Sequence, residues 1–84
     1  MQTILEALGQ KMRELRAKRG ISQEDFADAC GLHRTAVGLL ERGERWPRLD
    51  TLLRISKGFG ITVSQLLRWI EKGTPNLPKR RPIR

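Results

Sequence analysis

Eighty-four residues with 38% hydrophobic content fit one domain around one modest core, which excludes a two-domain architecture and a wholly disordered chain. Seventeen basic against nine acidic side chains give a net charge of +8, which suits a polyanion, an anionic membrane surface or an acidic protein, so charge alone does not single out DNA. The apolar runs are too short for a membrane span and no secretory signal is expected near Met1. Cys30 is the one cysteine, which forbids an internal disulfide and fits a cytoplasmic protein.

Thr3 followed by Glu6 reads as a capping box, after which Leu5, Leu8, Met12 and Leu15 recur at helical spacing until Gly20. Ser22 with Asp25 opens a short second helix whose Phe26, Ala27 and Cys30 share one face, and Gly31 can close it in the left-handed conformation. The third helix runs from about His33 to Arg42 on the stripe Ala36, Val37 and Leu40. After the loop Gly43 to Pro47, the residues Leu49, Leu52, Leu53, Ser56 and Phe59 form the apolar stripe of a fourth helix ending at Gly60. Thr62 and Gln65 make another capping box, and Val63, Leu66, Leu67 and Ile70 share the inward face of a fifth helix that stops before Gly73. The expected architecture is therefore an all-α, five-helix domain over residues 1–73. A tail over residues 74–84 holds three of the four prolines and, in Lys79, Arg80, Arg81 and Arg84, half of the net charge. It is expected to be mobile, and either to hold DNA without sequence preference or to be merely solvated.

Two short helices joined by a glycine turn can pack at a steep angle and leave the second free to enter the major groove. Ala27 is small where a larger side chain would hold the helices apart, Gly31 sits where the turn favours positive φ, and Phe26, Cys30, Leu32, Val37 and Leu40 supply the apolar wedge. The segment Ile21 to Glu41, ISQEDFADACGLHRTAVGLLE, resembles the helix-turn-helix of the lambda-repressor-like, Cro/cI (XRE) family. The similarity continues through LGQKMRELRAKRG before it, ERGERWPRLDTLLRI after it and GITVSQLL, covering about residues 5–68, and Leu32 to Arg45 also resembles the controller proteins of restriction-modification systems. The resemblance implies a compact lambda-repressor-like fold and a transcriptional regulator, a repressor or autoregulator that reads a palindromic operator in double-stranded DNA. It also implies an ion pair between Arg16 and Glu41 that ties the first helix to the third, a phosphate contact by Gln23, and dimerisation through the last helix. The chain departs from the family pattern at Trp46 and Arg48, where small or polar residues are common, at His33 in place of a Ser or Thr cap, and at Gly38 and Leu39 in place of polar residues.

At about 100° per residue, Arg34, Thr35, Gly38 and Arg42 lie on the outer face of the third helix. Arg34 is expected to pair with guanine through two hydrogen bonds, and Thr35 to offer its hydroxyl or methyl to a base. Gly38 would let the helix approach the groove floor, while Leu39 borders the face near a thymine methyl. Ser22 and Gln23 at the start of the second helix, with His33, Arg42, Arg45 and Arg48, are expected at phosphates, Arg48 alternatively in the minor groove, since it resembles a family loop position that reaches either. The plainer alternatives are a solvated Arg34, a His33 that only caps its helix, and a Trp46 packed on its loop rather than on DNA. One His, one Cys and no Tyr leave no catalytic set, no metal site and no cofactor site, so no enzyme is expected. Trp69 falls about 100° from the inward stripe of the fifth helix, where with Leu66 and Ile70 it would anchor a two-fold homodimer. Alternatively, Trp69 folds over the end of its own domain beneath Leu77. A competing function is an antitoxin that neutralises a toxin through its tail or fifth helix while autoregulating its operon.

Overall fold

In a computed structural model, which describes residues 3–74, the chain forms five helices: α1 Ile4–Arg19, α2 Gln23–Cys30, α3 Arg34–Glu41, α4 Leu49–Phe59 and α5 Val63–Lys72. The expectations for Leu77 and for the four basic residues of the tail lie outside the described residues. At the start of α1 the Thr3 hydroxyl accepts from the Glu6 amide at 3.1 Å while the Glu6 carboxylate accepts from the Thr3 amide at 2.9 Å. The bond from the Thr3 amide, seconded by the Thr3 hydroxyl, holds the Glu6 carboxyl below its ordinary pKa. Ser22 and Thr62 form the hydroxyl half of the same motif, accepting from the Asp25 amide at 3.0 Å and the Gln65 amide at 3.1 Å.

The helices α1 and α3 pack together, α2 packs on α3 and α4, and α5 closes the domain against α1 and α4. Leu8, Met12, Phe26, Val37, Leu40, Ile55 and Leu66 form the centre of the core, with the rings of Phe26 and Phe59 stacked at 4.1 Å between centroids. Arginines of α1 reach across the domain to main-chain carbonyls. Arg13 donates to Glu41 at the end of α3, Arg16 to Ile21 at 3.0 Å, and Arg19 to Phe59 at the end of α4 at 2.8 Å. Cations at helix C-termini satisfy carbonyls that have no partner within the helix, so part of the positive charge of α1 serves the fold. No helix among the described residues is long and apolar enough to cross a membrane.

Two apolar stripes sit differently from the sequence expectation. On α4 the buried residues are Ile55, Ser56 and Phe59, whereas Leu49 and Leu53 are exposed. Their stripe was wider than the surface that α2 and α5 can cover. On α5 the inward residues are Leu66 and Ile70, both buried in the domain's own core, while Leu67 is exposed. Leu66 and Ile70 are thus corrected from a dimer surface to the core. Trp69 is corrected from an outward anchor to a half-buried residue against that core, because α1 covers its flank of α5, with the Lys11 ammonium 5.0 Å from the ring centroid. Thr74, expected to open the tail, is buried, and its hydroxyl donates to the Ile70 carbonyl at 3.0 Å.

Cys30 is buried between α2 and α4, against Gly58. Burial pushes its thiol up to about 11, leaving it protonated at neutral pH. Iodoacetamide at neutral pH is therefore expected to leave the native protein unlabelled while labelling the denatured chain to completion. Rapid native labelling, read by mass spectrometry, would show that α2 and α4 open.

Candidate nucleic-acid interface

The turn between α2 and α3 is made by Gly31, at φ 68° and ψ 31°, whose left-handed conformation lets the Leu32 amide return to the Ala27 carbonyl at 2.9 Å. Phe26, Ala27 and Cys30 of α2 are buried together with Val37 and Leu40 of α3, so α3 rests on a closed apolar wedge. His33 precedes α3 in an extended conformation, and its Nδ1 accepts from the Thr35 amide at 3.4 Å. In the neutral ring this leaves the proton on Nε2, which can donate outward.

A second set of contacts fixes the orientation of α3. The Glu41 side chain, 2% exposed, accepts from Arg16 Nε at 2.6 Å, Arg16 Nη2 at 2.9 Å and Gln23 Nε2 at 2.9 Å. One buried carboxylate therefore joins α1, α2 and α3. The hydrogen bonds to Glu41 raise the pKa of Arg16 above its ordinary value. Gln23, expected to reach a phosphate, first serves this junction. Beside it, a Cβ on Gly9 of α1 would run into the Glu41 carbonyl oxygen and lie 3.0 Å from the Leu40 carbonyl oxygen. Neither Gly9 nor Arg13 was singled out from the sequence. The signal for Gly9 was an unexplained glycine inside a helix, where it costs about 1 kcal/mol relative to alanine.

On the outer side, Arg34 and Thr35 are exposed in the first turn of α3, and Arg34 makes no hydrogen bond or ion pair with the described residues. Leu39 is half-buried. Gly38, expected at the open floor of the interface, is instead buried, because the Arg42 guanidinium lies over it: a Cβ there would be 3.0 Å from Arg42 Nη1. Arg42 Nε also meets Glu44 at 3.3 Å, and Arg48 Nε meets Asp50 at 3.3 Å. All four side chains are more than half exposed, so these pairs are weak and readily exchanged for a phosphate. Arg45 is exposed. Trp46 is 66% exposed and is thus not packed away on its loop. Ser22 is exposed at the start of α2, its oxygen already capping the helix, and its hydroxyl hydrogen can still be donated.

The helix-turn-helix family model matches residues 12–66. The control protein C.BamHI of Bacillus amyloliquefaciens is 45% identical over 60 residues, covering 70% of this chain and 74% of its own. The control protein C.SmaI of Serratia marcescens is 41% identical over 64 residues, or 76% of each chain. Among solved structures, the restriction-modification controller protein C.AhdI from Aeromonas hydrophila matches with a TM-score of 0.71 at 40% identity, over 74% of this chain and 94% of that one. The matched span takes in all of α2, α3 and α4 together with Arg16 and Glu41, the parts that hold the exposed face of α3 in place. The chain belongs to the helix-turn-helix family of lambda-repressor-like (XRE) regulators.

Proposed function

We propose that this sequence-specific DNA-binding regulator works as a homodimer on a palindromic operator, as a repressor or autoregulator of a restriction-modification operon. The observation that carries the reading is Arg34. Its guanidinium is exposed and without a partner among the described residues on the first turn of α3, a helix whose orientation is fixed by the buried Glu41 junction. A planar fork so placed suits the O6 and N7 atoms of guanine in the major groove, with Thr35 beside it and Leu39 at the border. Ser22, His33, Arg42, Arg45 and Arg48 supply donors to phosphates on either side, which fix register and make binding depend on salt. Trp46 projects from the same loop as Arg45 and Arg48 and is available to a sugar or base. No described residue favours the antitoxin reading, which would use the same DNA-binding core.

Arg34→Ala is expected to cost about 2 kcal/mol, roughly thirtyfold, on the preferred operator and to relax the preference at one base pair. Anisotropy titrations against operators substituted one base pair at a time would show it. An equal loss on every sequence would place Arg34 at a phosphate instead. Selection of bound sequences from random DNA should return two half-sites about one helical turn apart. Methyltransferase and endonuclease genes beside this one would support the restriction-modification assignment, and their absence would remove it.

A further inference from the structure

Among the described residues, Trp46 is the one aromatic side chain that stands open to solvent, and the core does not use it. Its neighbours restrict where it can go. Pro47 follows it and holds its backbone to extended conformations, while the exposed Arg45 and Arg48 flank the Trp46 and Pro47 pair. Trp46 and Pro47 share a shallow depression with Leu32, Ala36 and Leu40 along one flank of α3, and Arg45 and Arg48 border it. The depression is thus apolar within and cationic at its edge. Dimensions decide what passes over that flank when α3 enters DNA. An α-helix with its side chains is about 10–12 Å across and the major groove about 12 Å wide, so the helix fills the groove and anything beside it lies over a bordering strand. Arg34 and Thr35 face base edges, whereas the loop faces the strand. A strand alternates anionic phosphates with deoxyribose rings that present C–H edges. Arginines answer the first, and an apolar depression with an exposed indole answers the second.

We propose that this depression seats a deoxyribose of the strand bordering α3, with the Trp46 indole packed on the sugar and Arg45 and Arg48 on the phosphates to either side. The proposal rests on the reading of α3 given above and makes Trp46 an anchor that adds affinity without base information. Tryptophan suits that task because it offers a large contact area with only two side-chain torsions to immobilise. Its contribution comes from burial of apolar surface and not from release of counterions, so it persists at salt concentrations that weaken the phosphate contacts.

Anisotropy titrations over a range of salt concentrations test the seat. Trp46→Ala is expected to weaken binding about tenfold per half-site, by the same factor on the preferred operator and on operators changed at one base pair. The slope of log affinity against log salt should stay at the wild-type value, whereas Arg45→Ala should reduce its magnitude by about one per half-site. Trp46→Phe keeps an aromatic face and loses the indole N–H, and should recover most of the affinity. Circular dichroism melts close to that of the wild type confirm that each variant is folded, and sedimentation equilibrium should show unchanged self-association. Wild-type affinity in Trp46→Ala would overturn the proposal, as would a changed salt slope in that variant. A loss that varies with the base pair would place the indole at a base instead. A Trp46→Phe variant as weak as the alanine would reduce the contact to a hydrogen bond from the indole N–H, and weaker self-association of Trp46→Ala would put Trp46 between copies of the chain. Both results exclude the sugar seat. If Arg34→Ala leaves the base preference unchanged while Trp46→Ala still loses affinity evenly, the reading of Arg34 fails and the seat stands.

Discussion

Glu41→Ala is expected to lower stability by about 3 kcal/mol, among the largest effects of any single substitution in this domain. The substitution removes the acceptor for three hydrogen bonds at once, from Arg16 Nε, Arg16 Nη2 and Gln23 Nε2, at a place where the Glu41 side chain is 2% exposed. Deleting one partner of a buried pair leaves the other charge desolvated and unpaired, which costs about 3–5 kcal/mol. The lower end applies because the Arg16 side chain is 19% exposed, so water recovers part of its solvation, and because its bond to the Ile21 carbonyl remains. In a domain of this size the loss corresponds to a fall in Tm on the order of 15 °C. Glu71→Ala, on the exposed side of α5, should stay within about 0.5 kcal/mol of wild type. Equal melting temperatures for the two variants would refute the role assigned to Glu41. The Arg16 side of the pair is insensitive to pH over the working range. Its pKa is raised by folding, so its contribution is complete below the unfolded value and is lost only as pH rises through the still higher folded one. Because the carboxylate joins three helices, the same variant should also lose operator affinity at temperatures where it remains folded.

The helices themselves were legible because each start and stop has a local chemical cause. Thr3, Ser22 and Thr62 cap the helices they precede, and Gly20, Gly31 and Gly60 end theirs in the left-handed conformation. The Arg16 and Glu41 pairing was legible only through the family resemblance, since 25 residues separate the partners and no local pattern links them. Helical phase was read less well. Periodicity says that Leu49, Leu53, Leu66, Leu67 and Ile70 are apolar, but which of them face the core depends on what packs on either side. α1 covers the Trp69 flank of α5 and leaves Leu67 exposed. The outer face of α3 was half legible. Arg34 and Thr35 are exposed as their angles require, whereas Gly38 is hidden by the long side chain of Arg42 one turn on, a contact that a helical wheel of Cβ directions does not contain.

Gly9→Ala separates local from tertiary causes because they predict opposite signs. Within α1, alanine is the better helix former by about 1 kcal/mol, so propensity alone predicts a more stable protein. The geometry at the end of α3 predicts the reverse. A Cβ at Gly9 would run into the Glu41 carbonyl oxygen and lie 2.9 Å from the carbonyl carbon and 3.0 Å from the Leu40 carbonyl oxygen. All three atoms belong to the main chain and cannot rotate away, so α1 and α3 must move apart. That movement would disturb the bond from Arg13 to the Glu41 carbonyl and the nearby Arg16 and Glu41 pair. Overpacking against backbone costs about 1–3 kcal/mol or more, and the rigid neighbours place Gly9→Ala at the upper end, about 3 kcal/mol net. Since α3 carries Arg34 and Thr35, a shift of its C-terminal end also tilts the face that meets the groove. Operator affinity should therefore fall more than tenfold, while binding to unrelated DNA, governed by phosphate contacts, changes little. A Tm equal to or above that of the wild type would show that α1 and α3 do not approach this closely, and that Gly9 has no part in setting the recognition helix.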